Sequence, residues 1–522
     1  MKYKTKIGIG ALFCILISSF YVNSTSTAWV NNGTPICTAP ENKYDVGICP
    51  DGNGGAYIVW ADNRNGNPDI YLQRVDREGN PLWVSNGIAV CNHSADQARP
   101  KIISDGQGGA IIAWQDNRNP SSYDIYAQRI ASNGNQYWTG NGVQLVSGPS
   151  NQDWPEICSD GAAGAIVTWQ HRISETNNNS QTDIYAQRIY ANGTVAWTSS
   201  GENGTLIANR AGYDRYPVII NDGYQGAIIA WGHIDGIFAQ RVNGDGDLIW
   251  ATNGSIISNT GDEGYPVICT DGSHGVIAIW DVYINTQNDL YGQRLDPAGN
   301  ALWTLNGTPI ITEIDDQEYP EVISDGSGGA IFCWQDRRSG SDVAIYVQKI
   351  DSSGNSLWVP NGTLICNFPE DKSNNRITSD GSGGCGIVWY AYYPNVTYSD
   401  VYAQRVYSNG TIGWGANGTA ISNAENQQGD CVITGSENGE FIMAWEDERD
   451  GDGDIDIYAH GTYVFTPGDD PNTDIGLIIG LSIGIPAGII GGILVLYYFY
   501  GYKKELSFME FIKKPFKKNE TR

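Results

Sequence analysis

Two tryptophan series run through this chain, each returning about every 54 residues, at or slightly above the length of a propeller blade. The first is Trp60, Trp114, Trp169, Trp231, Trp280, Trp334, Trp389 and Trp445. The second is Trp29, Trp83, Trp138, Trp197, Trp250, Trp303, Trp358 and Trp414. Together they account for sixteen of the seventeen tryptophans, so the unit is built around them. A large aromatic at a fixed place in each unit packs between neighbouring sheets. Such a unit cannot bury its apolar face alone and must stack on its neighbours.

The second copy shows the landmarks. Asp105-Gly106-Gln107-Gly108-Gly109 is a turn, followed by an apolar run over 110–114 and an alternating strand from Asp124 to Arg129. Trp138 then stands three positions before Asn141-Gly142. The pattern predicts an inner strand over 100–104 and a second over 110–115, apolar on both faces as expected between packed sheets. A third follows over 125–130 and an outermost one around 138–146. The two series are offset. Residues 29–37 carry the Trp-x-x-Asn-Gly segment that the final unit lacks, so pairing of the first and last segments closes a ring and removes exposed edges. The predicted fold is all-β: a single eight-bladed β-propeller closed by its N-terminal strand, plus one C-terminal transmembrane helix.

In its DG-x-GG-A-x-x-x-W, D-I-Y-A-Q-R and W-x-x-N-G elements, the repeat resembles those of secreted or surface-anchored β-propeller proteins of bacteria and archaea. The resemblance covers 29–465. It implies display at a surface, and its motifs specify fold more than activity. The last copy departs from it, with His460-Gly461 where the others carry Gln-Arg or Gln-Lys.

The ends of the chain give a cellular address. Residues 1–28 read as a secretory signal: a basic start, an apolar run and small residues at Ser26-Thr27-Ala28. Residues 475–500 hold no charged side chain and suit a membrane helix. A stalk over 466–474 precedes it, and a basic tail over 501–522 follows, which places the C-terminus in the cytoplasm and the propeller, 29–465, outside. The chain carries a net charge of −27, and its basic ends leave the middle more acidic still, which argues against nucleic-acid partners. Nine cysteines fall within 29–465, an odd number, so at least one is unpaired there or pairs between chains. Cys49, Cys158, Cys269, Cys333, Cys385 and Cys431 occupy apolar positions of the repeat and read as buried small hydrophobes.

Chemistry is scarce in the sequence. The five histidines have no metal-ligand spacing, and no P-loop is present. The box of sialidase propellers, S-x-D-x-G-x-T-W, is missing. A paired-carboxylate glycosidase stays open, because its two acids need not be close in sequence. Recurring residues are expected to be structural: Gln73, Gln128, Gln187, Gln240, Gln293, Gln348 and Gln404 as ligands of buried backbone, and Asp62/Arg64, Asp116/Arg118, Asp336/Arg338 and Asp447/Arg449 as turn ion pairs. Function should lie where copies differ, on the face carrying the loop after the first tryptophan. Asp450, Asp452, Asp454 and Asp456 are candidate Ca²⁺ ligands, although Ile455 stands where an EF-hand-type loop needs Gly. The expected role is a cell-surface recognition or adhesion protein for an extracellular protein or glycan. A glycan-processing ectoenzyme and a structural envelope component are the alternatives.

Asn32, Asn203, Asn253, Asn306, Asn361 and Asn417 each open an Asn-Gly-Ser/Thr sequon at one repeat position, which reads equally as N-glycosylation or as a turn that favours Asn-Gly. Gly476, Gly480, Gly484, Gly488 and Gly492 form a stripe every four residues that lets two membrane helices approach closely. A homodimer through this helix follows. In a membrane-helix association assay, Gly484→Ile should abolish a dimer signal that the parent gives. Equal, monomeric signals from both would contradict the stripe's role.

Overall fold

The computed structural model describes residues 29–462, except 121, 174–180, 198–203, 262, 341, 394–397, 437–438 and 452. The predicted signal, stalk, membrane helix and tail lie outside these residues, as do Asn203, Asp452 and the glycine stripe.

The described chain forms eight four-stranded antiparallel sheets. Blades 1 to 7 span 43–91, 97–146, 152–208, 215–258, 267–311, 317–366 and 371–422, each a simple meander. Blade 8 takes three strands from 428–462 and its outermost strand, Thr34–Cys37, from the N-terminus. There Thr34 pairs with Ala459 and Pro35 with Tyr458. This is the ring closure that the offset tryptophans predict.

Blade 2 shows how the repeat works. Its strands are Gln97–Ser104, Ala110–Asp116, Asp124–Ile130 and Val143–Val146, and the second is buried throughout. The outermost strand is shorter than the sequence predicts, and Trp138 precedes it. Turns at 131–134 and 139–142 use up the intervening chain, and the N–H of Trp138 goes to Gln128 Oε1 at 3.0 Å instead of a ladder. The same glutamine donates to the Thr139 carbonyl at 2.8 Å. All seven recurring glutamines are buried, as their expected structural role requires. Asp105 Oδ1 accepts the N–H groups of Gln107 and Gly109 at 2.7 Å, and Oδ2 holds Arg129, which also reaches the Ala191 carbonyl of blade 3.

The first tryptophans are fully buried between sheets. In blades 1, 2, 6 and 8 each donates its indole N–H to the aspartate two residues on, which pairs with the arginine two further on. Blade 4 has His233 in place of that aspartate, and Asp214 from its inner strand's approach accepts Trp231 Nε1 at 2.8 Å instead. Asn-Gly turns are left-handed at Asn32, Asn86, Asn141, Asn253, Asn306, Asn361 and Asn417. At Gly33 (φ +94°) a β-carbon would run into the Trp445 ring, so the turn needs glycine whether or not the asparagine carries a glycan. The nine cysteines are buried and form no disulfide.

Blade 8 meets blade 1 through the bonds used elsewhere in the ring. Trp29 Nε1 donates to the Arg77 carbonyl at 2.9 Å, as Trp138 does to Ala191 at 3.0 Å. Asn32 accepts Asn423 N–H on one side, and Asn86 accepts Thr38 N–H on the other. Two differences are local. Gly461 replaces the bridging arginine because a β-carbon there would collide with the Trp29 indole, and Arg77 of blade 1 pairs with Glu440 of blade 8 instead, Nε to Oε2 at 2.6 Å. Lys43, fully buried, pairs with Asp456 at 2.9 Å. Deleting 29–37 removes a strand and all its seam bonds. The full chain without it should melt at lower temperature and in a broader transition by calorimetry. Melting that matches the parent would contradict closure by this strand.

Candidate functional site: the channel mouth on the variable-loop face

The inner strands surround the central axis. Each begins beside the end of the second strand, as Gln97 pairs with Asp116, so its start opens on the face that carries the loops after the first tryptophan. This is the face where the repeats differ most. In seven blades the inner strand bulges just inside this mouth. The bulged residues Asp45, Arg99, Trp154, Tyr216, Tyr319, Asn374 and Asp430 have φ between 37° and 57°. Tyr265 stands at the corresponding place in blade 5. A left-handed backbone costs a side-chain-bearing residue roughly 1–2 kcal/mol. Glycine would avoid that cost, yet none of the eight is glycine. Bulges re-aim side chains, and here they ring the mouth.

The ring is lopsided. Blades 3 to 6 contribute Trp154, Tyr216, Tyr265 and Tyr319. Trp154 and Tyr216 meet edge to face with centroids 5.1 Å apart, and Tyr216 meets Tyr265 at 4.3 Å. Tyr265 and Tyr319 are 53% and 65% exposed. The Arg99 guanidinium lies 3.8 Å over Trp154 and continues the arc. The other side is polar: Asp45 accepts Arg99 N–H at 3.0 Å, and Asp430 accepts Asn374 Nδ2 at 3.2 Å. One step deeper, Lys101 pairs with Glu156 at 2.6 Å and Arg376 with Glu321 at 2.5 Å. A cavity of about 750 Å³ lies along the aromatic side and one of about 370 Å³ along the polar side, sharing Trp154, Asn374, Arg376 and Asp430.

In blades 2, 3 and 5 to 8 the residue after the first tryptophan also reaches the mouth. In blades 2 and 3 it is a glutamine that accepts the next bulge's N–H: Gln115 from Trp154 and Gln170 from Tyr216. In blade 5 it is Asp281 and in blade 8 Glu446. Burial, then the charges of Asp430 and Asp45, push Glu446 up to about 8, against the pull of N–H groups from Val46 and Asp45. Its Oε1 has no hydrogen-bond partner. Burial and Glu318 push Asp281 up to about 6.

Of the proposed Ca²⁺ ligands, Asp456 is buried against Lys43 and Asp454 accepts Glu41 N–H at 2.9 Å, so both serve the seam. Among the described residues no group of three or more His, Cys, Asp or Glu side chains is placed to hold a metal ion. The bulge residues and Glu446 escape a reading based on recurrence. One signal does mark them: Trp154 is the single tryptophan outside both series.

No protein-family model matches the chain. No curated protein matches it. Solved propeller structures do. Prolyl oligopeptidase B from Galerina marginata is 12% identical over 81% of this chain, with a TM-score of 0.43, and the chain spans 56% of its length. The β-propeller domain of the Trilobed protease from Pyrococcus furiosus is 8% identical over 72% of this chain and 97% of its own, with a TM-score of 0.39. The Hadza microbial sialidase Hz136 is 10% identical over 78% of this chain and 76% of its own, with a TM-score of 0.37. These likenesses concern fold alone.

Raised carboxyls give stability a definite pH dependence. Asp214, buried, is pushed up to about 7. With Asp281 and Glu446 it holds its proton in the folded chain to higher pH than in the unfolded one. The stability from this is complete below about pH 4 and is lost as pH rises through 6 to 8. Glu446→Gln should therefore melt like the parent at pH 4 and above it at pH 9. Parallel melting curves across that range would contradict the buried, uncompensated carboxyl.

Proposed function

We propose that this chain is a cell-surface recognition protein whose ligand, a glycan, seats in the channel mouth on the variable-loop face. The observation that carries the reading is the aromatic arc from Trp154 to Tyr319, open to solvent beside charged and amide groups. Sugar rings present an apolar face for stacking and a polar edge for hydrogen bonds, and aromatic side chains suit such amphipathic partners. The fourfold variety of the other half of the ring supplies donors and acceptors at Arg99, Asn374, Asp45 and Asp430. The signal over 1–28 and the helix over 475–500 would hold this mouth outside the cell, and paired helices would present two mouths together, which raises the avidity of a weak binder.

A glycan-processing ectoenzyme is the second reading. It draws on the same mouth, where Asp281 and Glu446 are acids held at raised pKa on different blades. A glycan array probed with the full-length protein in detergent should give hits that Trp154→Ala and Tyr319→Ala each weaken by about tenfold or more, the scale of losing an aromatic contact. No hits, or hits indifferent to both substitutions, would contradict recognition at the mouth. Shortened products from a bound oligosaccharide would favour the enzyme.

A further inference from the structure

Beside the large cavity lies a small one of about 120 Å³, lined in part by Tyr390, Asp430, Glu446 and Glu448. Tyr390 and Asp430 line both, so the two adjoin. Its volume is well below the roughly 300–1,000 Å³ that holds a whole small molecule, and suits one substituent of a larger ligand. Glu446, which lines this cavity, is 9% exposed, and its Oε1 is buried without a hydrogen-bond partner.

We propose that Glu446, Asp430 and Tyr390 form a subsite for the free ammonium group of an amino sugar, on the glycan whose rings the aromatic arc holds. This rests on the glycan reading and adds its charge. Buried polar atoms normally find partners, and a carboxyl oxygen left without one costs the fold stability. An ammonium donor supplies the missing bond. The electrostatics favour a cation. Asp45 and Asp430 both raise Glu446, and among the described residues none of the three forms an ion pair. Arg376, whose charge reaches Asp430, is paired with Glu321, and Arg99 lies over Trp154. The Tyr390 ring gives the cation an aromatic wall. Without a ligand the site relieves its repulsion by keeping a proton on Glu446. A bound ammonium takes the place of that proton, which leaves to solvent. The placement of carboxylates among the described residues provides no metal site that would do the same.

The test is calorimetry on the full-length protein in detergent at pH 6, where the amine is charged. The titrants are a β-1,4-linked glucosamine hexamer, its fully N-acetylated counterpart and tetralysine. The glucosamine hexamer should bind at least about tenfold more tightly than the acetylated one, as a charge-assisted hydrogen bond implies. Glu446→Gln should erase that preference and leave the affinity for the acetylated hexamer unchanged, which also shows that this variant folds. Asp430→Asn should erase the preference as well, while binding of the acetylated hexamer persists, weakened by the loss of one acceptor at the mouth. Equal binding of the two hexamers by the parent, or a preference that survives both substitutions, overturns the ammonium subsite and leaves the glycan reading standing. Binding of neither hexamer overturns both. Binding of tetralysine alone, lost in Glu446→Gln, overturns the amino sugar in favour of a cationic peptide.

Discussion

The pairing of 34–37 with 456–462 is the contact on which the rest of this molecule depends. Seven blades are complete within their own stretch of chain, but the eighth is not. Without the N-terminal strand its third strand would be a bare edge, and the ring would lose the bonds from Trp29 and Asn32 that match those between the other blades. The seam then adds contacts of its own. Lys43 with Asp456 and Arg77 with Glu440 each join residues more than 360 positions apart. A buried pair such as Lys43 with Asp456 is costly to break singly, because either partner left alone is a buried charge. Breaking the seam is therefore expensive in a way that strengthens the closed ring.

Closure also sets the mouth. The same eight inner strands that complete the ring aim their bulged residues at one opening. The outer parts of the blades repeat because every unit must bury a tryptophan and satisfy the same backbone groups. In blades 2 to 4 the bulge residue is freed from that demand, since its N–H is met from the preceding blade by Asp45, Gln115 or Gln170. Near-symmetry outside and asymmetry at the mouth come from one architecture.

Most of the fold was legible in the sequence because packing repeats. Tryptophan spacing gave the blade count, the offset gave the closure, and the recurrent Gln and Asp/Arg residues took the structural roles expected of them. The outermost strand was read too long because Trp138 is fixed by Gln128 and not by a ladder. The aspartates at 450–456 looked like a cation loop. In space Asp454 and Asp456 meet residues 41–43 at the far end of the domain sequence, a contact that no local spacing reveals. The mouth was the least legible part. Its residues are defined by a bulge, and a bulge leaves no composition signature when each copy fills it differently.

Backbone hydrogen exchange on the full-length protein tests the closed ring most directly. If the N-terminal strand completes the eighth blade, amides of 34–37 and 456–462 exchange as slowly as those of Ala110–Asp116, deep in blade 2, and open together with them under denaturant. Rapid exchange at 34–37 and 456–462, while blade 2 stays protected, would mean the ring is open and would contradict the account.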